Sequence, residues 1–247
     1  MYLDQGESVM NKFIFDVDGT LTPSRQTIDP EFKKFFLEFC IANEVYLVTG
    51  SDYPKTQEQL GDNLLRWPIF VYACSGNDVW AKGERIRTKE WTLPDESRDL
   101  LHSWLQVSKF PLRTGIHFED RPGVCNFSIV GRNATLGERN LYVAHDQDHR
   151  ERETIALQFN SLYGNAITAN IGGDTGIDLY PVGWDKSQIL DDFDPTDRIY
   201  FFGDKMDVGG NDYPLKAANT RGHNYTVKNW RDTWERLHYL QEARLAE

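Results

Sequence analysis

The sequence predicts an α/β protein with a mostly parallel sheet, interrupted by a smaller α+β insertion. Two observations carry this. Short apolar strand signals over 13–15, 45–49 and 69–73 alternate with helix signals, the grammar of a parallel sheet covered on both faces. From about Lys82 the pattern changes to hairpins and separate helices, and the βα grammar returns only near Asp185. The expected division is a core from 1–82 and 185–247, with an inserted cap over 83–184 and a cleft between the two bodies.

Residues 1–11 read as a loose leader. Asp29 then Pro30 supply an N-cap and a first helical residue, and Phe32, Phe35, Phe36 and Phe39 share one helical face, as core packing does. The second strand empties into Thr49, Gly50, Ser51 and Asp52, Pro54 opens the next helix, and the third strand follows. In the insertion, Lys82 and Gly83 predict a hairpin turn, 95–107 a helix, and 115–131 two strands joined near Pro122 and Gly123. Across 124–130, Asn126 and Ser128 point one way while Cys125, Phe127 and Ile129 point the other, so one face is polar enough to look onto a cleft. A charged helix over 146–163 is expected to bury Ile155, Phe159 and Leu162, with strands at 167–171 and 177–180 after it. The core resumes with a helix starting over 185–189, strands at 199–202 and 225–227, and an amphipathic packing tail over 230–245.

A formal charge of -11 argues against nucleic-acid or anionic-membrane partners, which need a positive footprint, while leaving room for a local basic pocket. Cys40, Cys74 and Cys125 lack paired spacing, so neither a disulfide framework nor a zinc site is indicated. No apolar run is long enough to span a bilayer and no basic-then-apolar start is present, so a cytoplasmic setting is expected and the sequons at Asn126 and Asn133 carry little weight.

Ligands in parallel α/β sheets collect at the carboxyl ends of strands, and the acids of this sequence stand there. Asp16, directly after the first strand, suits a covalent nucleophile toward a phosphoryl group, and Asp18 suits the general acid and base. A turn capped by aspartates is the bland reading of the same residues. Asp204, at the end of another apolar strand, weighs against it by supplying a further hard oxygen, so Asp16, Asp18 and Asp204 are the expected Mg²⁺ ligands. Asp207 and Asp212 are auxiliary candidates, and Asn211 can orient one of them or a water. Lys186 can offset the charge of Asp16 and the transferring phosphoryl group. Thr49 and Gly50, with Gly19 or Thr20, can donate to phosphate oxygens. Arg121, Arg132 and Arg139, beside the polar strand face of Asn126, can clamp a second phosphate, with Arg25 reaching from the core and Asp178 accepting from sugar hydroxyls. Scattered arginines are more often simply solvated. His117, His145, His149 and His223 have no metal-binding spacing.

DVDGTLT at 16–22, the lysine of GWDK at 183–186 and FFGDK at 201–205 resemble the haloacid dehalogenase superfamily of aspartate-based phosphotransferases. More narrowly, TLTPSRQ at 20–26, RPGVCNFSIVGR at 121–132, Arg139, GIDLYPVGWDK at 176–186 and FFGDKMDVGGND at 201–212 are similar to eukaryote-type phosphomannomutases, a likeness running from residue 12 to about 227. The resemblance implies a haloacid dehalogenase-like Rossmannoid core with an inserted α+β cap. It implies a phosphohexomutase interconverting mannose 6-phosphate and mannose 1-phosphate through an aspartyl-phosphate at Asp16 and a hexose bisphosphate, with Mg²⁺ as cofactor. Arg25, Arg121, Arg132, Arg139 and Asp178 match sugar-phosphate positions, and a homodimer through the cap is implied. Three departures stand out: Thr49 where the family has glycine, Gly176 where the mutases have serine, and Ala218 in place of an acid of an additional cation site. They keep a Mg²⁺-dependent sugar-phosphate phosphatase open as the alternative.

Overall fold

The computed structural model describes residues 10–245, the last three by their backbone alone. Of the expected leader, 1–9 lies outside the described residues, and Asn11 already belongs to β1 (Asn11–Phe15). Phe13, Ile14 and Phe15 are buried on both faces of that strand, as an interior parallel strand requires. Asp29 accepts from the N–H groups of Glu31 and Phe32 and so starts α1 (Pro30–Ala42), which buries Phe32, Phe36 and Phe39 against the sheet. Phe35 is only partly covered and packs on Trp234. There follow β2 (Glu44–Val48), α2 (Tyr53–Leu60), α3 (Asp62–Leu65) and β3 (Phe70–Ala73).

Next, β4 (Asp78–Ala81) and β5 (Glu84–Thr88) form the hairpin predicted at Lys82 and Gly83, both of which have positive φ, 52° and 88°. A two-residue turn of that kind folds the chain straight back along the preceding strand. The consequence differs from expectation: β5 pairs with β4 as the outermost strand of the large sheet, so residues 84–88 belong to that sheet rather than to the insertion.

The insertion contributes α4 (Asp95–Val107), β6 (Phe118–Arg121), β7 (Val124–Phe127), α5 (Leu136–His149), α6 (Glu151–Tyr163), β8 (Ile167–Gly172) and β9 (Gly176–Pro181). Its strands make a four-stranded antiparallel sheet in the order β6-β7-β9-β8. The single helix expected over 146–163 is two helices broken at Arg150, which sits at φ 50°. Asp146 explains the break, because its carboxylate accepts from the Arg152 N–H at 2.8 Å and from the Arg152 guanidinium at 2.7 Å, anchoring the first turn of α6. Ile155 and Phe159 are buried as expected, but Leu162 is 67% exposed; Tyr163 continues the inward stripe by packing on Phe159.

The helix expected to start over 185–189 is a 3₁₀ helix over Lys186–Asp192 capped by Asp185, and β10 (Arg198–Gly203), α7 (Tyr213–Ala218), β11 (Gly222–Thr226) and α8 (Trp230–Leu245) follow. The large sheet runs β11-β10-β1-β2-β3-β4-β5, parallel from β11 through β3. Thus β1 lies between β2 and β10, and Asp16, Thr49 and Asp204 follow the ends of three adjacent strands. The tail is more than packing: Thr233 on α8 donates to the carbonyl of Thr20 at 2.7 Å, pinning the loop after β1.

Candidate active site

The loop after β1 is set by its own backbone. The Asp16 N–H donates to the Phe202 carbonyl of β10, and Gly19 takes φ 86°, which L side chains rarely adopt. A Cβ at Gly19 would meet Asp204 Oδ2 at 2.3 Å, so the glycine is what lets the Asp204 carboxylate close on this loop. Beneath it, Lys186 is fully buried and donates to Asp16 Oδ1 at 2.6 Å and to Asp212 Oδ1 at 2.7 Å. Burial alone would discharge the amine, but the two carboxylates outweigh it and hold Lys186 above its ordinary range. Burial pushes the Asp16 carboxyl well up, against the pull of Lys186 and with added repulsion from Asp212 and Asp204. Asp204 is raised to about 6 by burial and by Asp212. Thr20 Oγ1 lies 3.4 Å from Asp16 Oδ2, leaving that oxygen the one turned from the lysine.

Asp18 is held by a different set of groups. Its carboxylate accepts from the Arg25 N–H at 2.7 Å, from Gln59 Nε2 at 2.9 Å and from Ser51 Oγ at 3.2 Å. Burial opposes ionisation, but these donors prevail and the carboxyl sits below its ordinary value. Among the described residues, the acids whose carboxylate oxygens converge within 4.8 Å are Asp16, Asp204 and Asp212. Of the expected set Asp16 and Asp204 are in this group, while the Asp18 carboxylate is engaged by Arg25, Gln59 and Ser51 instead. Three carboxylates so close repel one another unless a cation lies between them. Asp204 Oδ1 and Asn211 Oδ1 are buried without a hydrogen-bond partner. Hard, unsatisfied oxygens of this kind fit Mg²⁺. Asp207 is exposed and outside the cluster.

Above the acids is a cleft of about 190 Å³, lined from the core by Asp16, Asp18, Arg25, Thr49, Lys55, Asp204 and Asn211, and from the small sheet by Arg121, Asn126, Arg132, Asp174 and Asp178. Most of the residues singled out from the sequence are therefore brought to one place. Thr49 Oγ1 accepts from the Ser51 N–H. Arg121 crosses the cleft, donating to the Gly50 carbonyl at 2.9 Å while lying 3.6 Å from Asp178. Arg132 pairs with Glu119 at 2.6 Å, and Asn126 donates to Asp178 at 2.6 Å. Arg139 stands back from the lining, 4.0 Å from Asp174. Arg121 Nε, Arg132 Nε, Arg139 Nη2 and Asn126 Oδ1 are buried and lack hydrogen-bond partners, a polar capacity that an anionic, hydroxyl-bearing ligand would satisfy. Sequence reasoning missed Ser51, Lys55, Gln59 and Glu119; the first three stand at positions four apart after a strand end, and that spacing was the available signal.

A family model for eukaryotic phosphomannomutase matches residues 32–242. The chain belongs to the eukaryotic phosphomannomutase family. Relatives include phosphomannomutase 1 of Mus musculus, 35% identical over 92% of this chain and 90% of that protein, and the phosphomannomutase of Saccharomyces cerevisiae, 35% identical over 85% and 87%. Among solved structures, an IMP-nucleotidase mutant of Plasmodium falciparum matches with a TM-score of 0.64 at 15% identity, covering 96% of this chain and 69% of that one. The sucrose-phosphatase of Synechocystis matches with a TM-score of 0.55 at 13% identity, covering 94% and 98%. At such identity these likenesses concern the fold, a haloacid dehalogenase-like α/β core with an inserted α+β cap. Two of the departures that the resemblance implied, Gly176 and Ala218, fall at positions with definite surroundings. A Cβ at Gly176 would meet Asn126 Nδ2 at 2.4 Å, so Asn126 occupies the room a side chain would need. Ala218 ends α7 as an exposed methyl and offers no side-chain oxygen.

Proposed function

We propose that this chain is a phosphohexomutase, interconverting mannose 6-phosphate and mannose 1-phosphate through an aspartyl-phosphate at Asp16 and a hexose bisphosphate. The carrying observation is a cleft with an acid-and-lysine floor on one sheet and guanidiniums with unused donors on the other. A mutase must hold the phosphate that is not reacting, and Arg121 and Arg132 suit that task. In this reading Asp16 Oδ2 forms a bond to phosphorus as the ester P–O bond breaks, and Asp18 gives its proton to the leaving sugar oxygen. In the reverse half, Asp18 takes the proton of the other sugar hydroxyl as that oxygen attacks the phosphoryl group on Asp16. The lowered pKa of Asp18 favours its starting as the base, as a phosphorylated enzyme meeting a monophosphate requires. Asp16, Asp204 and Asp212 would hold Mg²⁺, which supplies neutralisation of charge on the transferring group. Lys186 orients Asp16 and offsets part of the cost that burial sets on its ionisation.

The same reading takes the two ends of the chain as the core and the residues between Thr88 and Lys186 as a cap that moves against it, with a homodimer assembled through the cap. A cytoplasmic setting accords with three free, buried cysteines. No helix among the described residues is long and apolar enough to cross a membrane. Thr49, whose side chain lines the cleft, is the observation that favours a sugar-phosphate phosphatase instead.

The test is to incubate the protein with mannose 1-phosphate, Mg²⁺ and a trace of hexose 1,6-bisphosphate while following mannose 6-phosphate and free phosphate. Isomer should accumulate well ahead of phosphate, and Asp16→Asn should yield neither. Phosphate without isomer would make this a phosphatase.

A further inference from the structure

Lys55 has no part in the phosphoryl transfer itself, yet it is built into the cleft. Its backbone N–H donates to the Asp52 carboxylate at 3.0 Å, which fixes it in the first turn of α2. Gln59, one turn after it on α2, and Ser51, in the loop before the helix, both reach Asp18. Residues four apart on a helix share a face, so Lys55 is directed with Gln59 toward the site, and it does line the cleft together with Arg25, Arg121 and Arg132.

Its electrostatic surroundings are those of an anion-binding site. Among the described residues, the Lys55 amine makes no hydrogen bond and no ion pair, although the residue is half-buried. The charged groups that weigh most on it are Arg25 and Asp18 from the core and Arg121 and Arg132 from the cap, the two cap arginines being themselves paired with Glu119 and Asp178. Asp18 is already satisfied by the Arg25 N–H, Gln59 and Ser51. Burial, then Arg25, accordingly lowers the amine to about 8. An ammonium desolvated among guanidiniums is unfavourable by itself, and a dianion between them offsets both the desolvation and the repulsion.

We propose that Lys55 is a substrate-binding residue which, with Arg25 from the core and Arg121 and Arg132 from the cap, grips the phosphate that is not being transferred. The proposal rests on the mutase reading above and deepens it: the idle phosphate is held from both sheets, so binding it draws the cap onto the core. Small phosphate esters, which carry no second anchoring group, gain much less from Lys55.

The experiment compares wild type, Lys55→Met and Lys55→Arg, with mannose 1-phosphate and with acetyl phosphate as substrates. Calorimetry adds mannose 6-phosphate binding to Asp16→Asn chains with each residue at position 55. Lys55→Met should raise KM for the sugar phosphate about 10- to 100-fold, the worth of one hydrogen bond between charged groups, with a much smaller change in kcat. Its loss on acetyl phosphate should be at least about tenfold smaller, and Lys55→Arg should recover most of the affinity. In calorimetry, chains that keep Lys55 should bind more weakly as the pH rises past about 8, whereas chains carrying the Lys55→Arg substitution should not. Equal losses on both substrates, or unchanged binding in Lys55→Met, would overturn the proposal, as would failure of the Asp16→Asn chain to bind mannose 6-phosphate. If that chain binds with the Lys55 dependence but wild type makes no isomer, the mutase reading falls and the binding role of Lys55 stands.

Discussion

Replacing Lys186 by Met tests whether the floor of the cleft is the ion cluster its geometry describes. The amine lies 2.6 Å from Asp16 and 2.7 Å from Asp212, and the three side chains are 0–4% exposed. Methionine keeps the stem and removes the charge, leaving two carboxylates buried without their counter-ion beside a third, Asp204. Removing one partner of a buried pair typically costs about 3–5 kcal/mol. Set against a usual domain stability of about 5–15 kcal/mol, the variant should fold but melt early. The cost should also depend on pH in a stated direction. Asp16 is already held above its ordinary value by burial, and losing Lys186 raises it further. A group whose folded pKa exceeds its unfolded one binds more protons when folded. Its contribution is therefore present below the ordinary carboxylate value and is lost as pH rises through the folded value. Urea unfolding in the presence of a chelator, at about pH 5 and about pH 8, should show the deficit of Lys186→Met growing with pH. Adding Asp212→Asn should recover part of it, since one orphaned charge is gone. A variant as stable as wild type at the higher pH, or a deficit that does not shrink on acidification, would refute the buried-ion account.

Arg132→Ala should weaken use of mannose 1-phosphate at least about tenfold more than use of acetyl phosphate, because only the first presents a group to the cap; equal losses would argue against a distal-phosphate role. Gly176→Ser should destabilise the fold by about 1–3 kcal/mol, as overpacking does, because its Cβ is built 2.4 Å from Asn126. Asn126→Ala in the same chain should restore part of that loss in urea unfolding, and a fully stable single variant would mean Asn126 swings aside freely.

Local chemistry made much of this structure legible in advance. Asp29 with Pro30, the paired left-handed residues Lys82 and Gly83, and the amphipathic stretch beginning at Trp230 each dictate an element by themselves. The helix Leu136–His149 escaped notice because its buried residues are Arg139, Tyr142 and Asp146, which leave almost no apolar stripe to read. Its end at Arg150 escaped too, since no glycine or proline marks it and the signal is a carboxylate that caps the next helix. At the site, the spacing of Asp16 and Asp18 after a strand pointed to a loop that does line the cleft, but not to where each carboxylate turns. That depends on Gln59, Ser51 and Asp212, partners the fold delivers from elsewhere in the chain.

The order of the large sheet has a consequence for synthesis. β1 is made first, but its neighbour β10 and the groups that complete its loop, Lys186, Asp204, Asp212 and Thr233, all belong to the last third of the chain. A chain growing from a ribosome can close the four-stranded sheet of the insertion before β10 is made, whereas β1 must wait, unpaired on one side, until β10 has emerged. Any product truncated before residue 186 has Asp16 but lacks Lys186, Asp204 and Asp212, the groups that pair and cluster with it in the folded chain.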